Sequence, residues 1–154
     1  MVETFPIVPG HVRALWLAPV LVITVLVVFV AIGAVGFSIR GARTARFEVS
    51  PEGLRLRGDL YGRMVPASHL QLANARPINV AQDKQFAPVM RTAGTALPGY
   101  RSGWFRLRNG ERALLYVTDP SRIAYVPTTD GYSMLLSVED PSAFIAALHR
   151  QTAR

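Results

Sequence analysis

The sequence predicts one membrane-spanning helix followed by a mainly-β domain, with two packed antiparallel sheets of seven or eight strands and one C-terminal capping helix. Three observations carry that expectation. No charged residue interrupts the chain from Ala14 to Ile39. From about Thr44 the pattern changes from solid apolar to alternating, broken at short intervals by turn residues. The last segment, "EDPSAFIAALHRQ", returns to a helical period.

The apolar run comes first. About 20 apolar residues cross a bilayer core, and the stretch 14–39 is longer than that, with Trp16 and Pro19 near one end. A cleaved signal peptide would have an apolar core of only about 7 to 15 residues. Arg13 stands alone on the amino side, whereas Arg40, Arg43 and Arg46 follow the run at once. Positive charge is retained inside, so the expected location is the inner or plasma membrane, single-pass, with the C-terminal domain in the cytoplasm. The chain then divides into a short tail (1–13), a transmembrane helix (14–39), a basic juxtamembrane linker (40–46), a β domain (47–150) and a C-terminal tail (151–154).

Within the β domain, "TARFEVS" meets "LRLRG" across the turn "PEG", with Leu54 and Leu56 on one face and Arg55 and Arg57 on the other. "DLYGRMVP" and "HLQLANAR" supply two further strands. Between Pro77 and Tyr100 the alternation dissolves among Pro88, Gly94, Pro98 and Gly99, which reads as a long irregular loop. Strands resume with "GWFRLR" and "ERALLYVT", joined across Asn109-Gly110 as a two-residue hairpin. "SRIAYVP" and "YSMLLS" follow, either side of "TTDG". Asp140 suits an N-cap and Pro141 the first helical position, ahead of the stripe Phe144, Ala147 and Leu148.

The run from "FEVSPEGLRLRGDLYGRMVP" through "PGYRSGWFRLRNGERALLYVT" to "YVPTTDGYSMLLSVEDPSAFIAAL" resembles the bacterial pleckstrin-homology (PH-like) domain families, in a membrane-anchored form. The resemblance implies a partly open barrel of two antiparallel sheets with a helix at one end. It implies a fold more than a function, because such folds host many binding roles.

The chain carries a net charge of +7 and a pI near 10.8 over 154 residues. Nucleic acid and anionic lipid are the usual partners of such a balance. The stretch "PGYRSGWFRLRNGERALLYVTD" interleaves Tyr100, Trp104 and Phe105 with Arg101, Arg106 and Arg108, as a single-strand nucleic-acid platform does. A two-residue hairpin sorts these side chains otherwise. Phe105 and Leu107 join Leu114 and Tyr116 in the core, and Arg108 faces Glu111. An RNA-recognition domain also needs alternating helices and strands, which this pattern lacks, so nucleic acid ranks behind the other partners. Trp104 with Leu115, and Tyr100 nearby, is left as an outward contact surface for a protein partner or a second copy. Arg40, Arg43, Arg46, Arg55 and Arg57 are candidates for a weak anionic-lipid contact. Arg46 with "RLR" is similar to the basic pattern of phosphoinositide-binding PH domains, but the turn "SPEG" is short and acidic where a phosphate pocket calls for a longer basic loop.

Catalysis finds no support in the residues. His11, His69 and His149 stand singly, most carboxylates fall at turns or caps, and no nucleophile or phosphate-loop motif is present. There is no cysteine, which excludes disulfides and thiol chemistry. The sequence therefore predicts a non-catalytic, membrane-tethered binding or assembly module without a cofactor or metal. A headgroup sensor built from the arginines is the alternative, and an unrecognised enzyme stands behind both.

Overall fold

The computed structural model describes residues 17–58 and 60–152, though not the side chains of residues 17, 34–35 and 37–44. The chain forms two separate units, Met1–Phe37 and Ser38–Arg154. Helix α1 (Leu17–Thr44) begins in the first, and its described side chains from 18 to 33 are exposed. The expectation of a transmembrane anchor over 14–39 is overturned, because among the described residues no helix is long and apolar enough to cross a membrane. The inner-membrane location and the inward-facing domain rested on that anchor and fall with it. Residues 1–16, which include the expected tail, lie outside the described ones.

The second unit is mainly β, closed by a C-terminal helix, as the sequence predicts. A three-stranded antiparallel sheet holds β1 (Arg46–Ser50), β2 (Gly53–Arg57) and β3 (Met64–Pro66), in that order. A six-stranded sheet runs β4-β8-β9-β7-β6-β5. Its members are β4 (Arg76–Ile78), β5 (Pro88–Leu97), β6 (Tyr100–Leu107), β7 (Arg112–Val117), β8 (Ile123–Pro127) and β9 (Ser133–Ser137). The described residues thus hold nine strands where seven or eight were expected, and six of their seven pairings are antiparallel, but β7 and β9 lie parallel, Ala113 beside Ser133 through Tyr116 beside Leu136. Helix α2 (Pro141–Thr152) starts as predicted, with the Asp140 carboxylate accepting the Ala143 N–H at 2.9 Å.

The larger sheet is buried on both faces. On one, Leu114, Tyr116, Val126, Met134 and Leu136 meet Leu54, Leu56 and Val65 of the smaller sheet and Leu148 of α2. On the other, Phe105, Leu107, Ala113, Leu115, Val117, Ile123 and Leu135 pack with Ile78 of β4 and are covered by Val80 and Phe86 from the segment that follows it. Strands covered on both sides read as continuous apolar runs, and "ALLYV" and "SMLLS" do.

Three local expectations change. "HLQLANAR" is not one strand: the 3-10 turns Ala67–His69 and Leu72–Asn74 fall across it, Leu70 makes an isolated bridge to Thr128, and its last residue, Arg76, opens β4. The irregular loop 77–100 contains a 3-10 turn at Lys84–Phe86 and the ten-residue strand β5. The Asn109-Gly110 hairpin is one residue longer than predicted. Leu107 N–H donates to Glu111 O at 2.8 Å, so Arg108, Asn109 and Gly110 form a three-residue loop with Gly110 at φ +88°. A slip of one residue turns every β7 side chain to the other face. Phe105 therefore stands beside Ala113, and Trp104 beside Leu114.

Candidate functional site

The slip decides where the predicted contact residues lie. Leu115 is 1% exposed and sits with Phe105 on the face away from Trp104. Tyr100 is 6% exposed at the start of β6. The structure therefore does not gather Trp104, Leu115 and Tyr100 into one outward patch. Trp104 itself is half-buried at the margin of the sandwich. The Arg63 and Arg112 guanidinium carbons lie 4.7 and 4.2 Å from its ring centroid, and Tyr132 meets it edge-on at 5.0 Å. Cations over the face of an indole are held by its quadrupole. The Arg63 Nε is buried with no hydrogen-bond acceptor among the described residues, so this side chain is held by its rings.

The arginines expected to meet lipid divide. Arg46, Arg55 and Arg57 lie exposed on the outer face of the smaller sheet, Arg46 opposite Arg57 and Arg55 opposite Glu48. Arg57 already pairs with Glu48 at 3.1 Å, which lowers the net charge of that face. Arg40 and Arg43 fall within α1, and their side chains lie outside the described ones.

Sequence reading missed the feature that stands out geometrically, the outer edge of β5. Among the described residues this strand pairs with β6 alone, and Val89 and Met90 on it are 55% and 51% exposed. Its first half is irregular, with register shifts between Pro88 and Met90 and between Arg91 and Ala93. From Ala93 to Leu97 the ladder is regular, and Pro98-Gly99 turns the chain into β6 with Gly99 at φ +77°. Its signal was hidden because an edge strand with one solvated side need not alternate apolar residues. A cleft of about 370 Å³ at the hairpin tip is lined by residues of this turn and by Val117, Thr118 and Pro120.

The polar clusters elsewhere are internally satisfied. The Tyr125 and Ser133 hydroxyls both donate to Glu111 Oε2 at 2.9 Å, and Asn109 Nδ2 donates to Oε1 at 2.8 Å. Burial pushes the Tyr125 phenol above its usual range. Asp119 accepts from the Ser121 side chain and N–H and from Arg122 Nε, and the Ser121 hydroxyl leads in lowering its carboxyl to about 2. Both are turn and hairpin-end fasteners. Among the described residues no three His, Asp or Glu side chains gather as a metal site.

A family model of the bacterial PH domain matches residues 45–152, more than two thirds of the chain. The chain belongs to the bacterial PH domain family. No curated protein and no solved structure matches it. PH domains are generally non-catalytic binding modules, so membership directs attention from a reaction to a surface.

Proposed function

We propose that this bacterial PH domain is a protein-binding module that takes an extended segment of a partner along the outer edge of β5. The observation that carries the reading is a ten-residue edge strand paired on one side, regular from Ala93 to Leu97 and bordered by exposed Val89 and Met90. Unpaired main-chain N–H and C=O groups on such an edge match an incoming strand, with main-chain bonds supplying affinity and side-chain pockets selectivity. The bulges near Pro88 blunt one half of the edge against indiscriminate pairing and leave the other half usable. Arg46, Arg55 and Arg57 support the headgroup alternative less well, because Glu48 lies among them.

The cysteine-free chain gives a direct test. Peptides selected from a random displayed library for binding to the full chain are remade with one cysteine. They are then offered to Ala96→Cys, on β5, and to Ala73→Cys, an exposed site away from it. Disulfide capture at position 96 and not at 73 is expected. Capture at neither position with binding intact, or a dimer cross-linked through position 96 without peptide, overturns the reading.

A further inference from the structure

The β5–β6 hairpin holds three arginines, Arg91, Arg101 and Arg106, and no acidic residue from Pro88 to Leu107. All three are exposed. Among the described residues none of them lies within ion-pair distance of a carboxylate. The ion pairs there are Arg57–Glu48, His69–Asp130 and Arg122–Asp119. Arg106 makes one long contact, donating to Gly110 O at 3.4 Å. It also stands directly opposite Arg112 in the β6–β7 ladder. Like charges placed opposite each other are unfavourable, so this pair costs stability where a neutral residue would not. Arg106 shares its row with Met90 on β5, and Arg91 projects to the other face beside Phe105. The edge is thus flanked by positive charge on both faces.

We infer that the segment taken by β5 is acidic, with Asp or Glu side chains set against Arg91, Arg101 and Arg106. This rests on the strand-addition reading above and names the chemistry of its partner. An added strand lies about 4.8 Å from β5 and about 10 Å from β6, within the combined reach of arginine and glutamate side chains. A second copy pairing β5 to β5 would bring six arginines together, which argues against self-association along this edge. Nucleic acid and anionic lipid share the charge but lack the alternating main-chain donors and acceptors that the edge matches.

The test uses three fluorescent octapeptides, alternating Val with Glu, Gln or Lys and each also made with one Val replaced by cysteine for capture, titrated into the full chain at low salt. An alternating peptide sets all its Glu side chains on one face, where they meet Arg91 and Arg101, and two exposed ion pairs of the usual modest strength predict about fivefold tighter binding of the Glu peptide than the Gln peptide. The preference should narrow at high salt. It should vanish in Arg91→Gln, Arg101→Gln, Arg106→Gln together, with Gln-peptide affinity and unfolding temperature unchanged. Equal binding of the Glu and Gln peptides with both captured at Ala96→Cys overturns this inference and leaves strand addition standing. Binding of the Glu peptide without capture at position 96 removes the strand-addition reading itself. Phosphatidylglycerol vesicles or single-stranded DNA that outcompete the Glu peptide and lose affinity in the triple variant overturn the choice of a polypeptide.

Discussion

Gly94 and Gly103 stand opposite each other in the β5–β6 ladder, both at positive φ, +142° and +112°. A Cβ on Gly103 would run into Ala93 O, come within 2.6 Å of Gly94 Cα and press on the Tyr61 ring at 3.1 Å. The pair lets the two backbones approach closely within the ladder.

Gly103→Ala should therefore destabilise the domain by about 2–4 kcal/mol, combining a strained φ with a clash against backbone that cannot move aside. Gly99→Ala, where the space for a Cβ is open, pays only the φ penalty and should cost less. Thermal unfolding of the two variants side by side checks the difference.

Leu115 and Arg106 separate core from surface on one hairpin. Leu115→Ala removes a side chain that is 1% exposed and should cost about 2–5 kcal/mol. Arg106→Gln relieves the facing Arg112 and should leave stability within about 0.5 kcal/mol of the parent or raise it. Denaturant titration distinguishes them. A Leu115→Ala cost near zero would contradict the observed register.

Glu111 is the acceptor on which the buried ends of β8 and β9 depend. Glu111→Ala leaves the Tyr125 and Ser133 hydroxyls without that partner and should cost about 1–3 kcal/mol. The pH dependence follows from Tyr125. Its folded pKa is raised, chiefly by burial, above the unfolded value of about 10. The associated stability is full below that value and declines as pH rises through it, because the unfolded chain ionises first. Unfolding followed from pH 8 to pH 11 should show the decline, and Tyr125→Phe should flatten it.

Much of the architecture is legible in the residues. Alternation marks β1, β2 and β6, apolar runs between turn residues mark β7, β8 and β9, and Asp140-Pro141 marks the start of α2. What escapes notice has physical causes. Leu70 and Leu72 stand two apart with polar Gln71 between them, as in a strand, so 3-10 turns read as a strand. β5 exposes one edge and most of its side chains, and no apolar period announces it. The hairpin after Leu107 differs from a two-residue turn by a single hydrogen bond, yet that bond sends Leu115 into the core and leaves Trp104 among Arg63, Arg112 and Tyr132. The candidate site suffered most, because contact residues were chosen by face and the faces were exchanged. The apolar run 14–39 suggested an anchor by length alone.

The parallel pairing of β7 with β9 gives the larger sheet a seam. On one side, β5, β6 and β7 fold back on each other through tight turns, and on the other β8 and β9 do the same. Each half is local and can zip within microseconds. The ladder between the halves runs where Ala113–Tyr116 meets Ser133–Leu136, twenty positions apart along the chain. Closing that span costs chain entropy before any contact rewards it. Ser137 clasps the seam at one end, its hydroxyl accepting from the Thr118 and Asp119 N–H groups at 3.2 and 3.1 Å. The expected order of assembly is two ribbons stitched late, with the facing backbones of Leu115 and Leu135 unpaired until the seam closes.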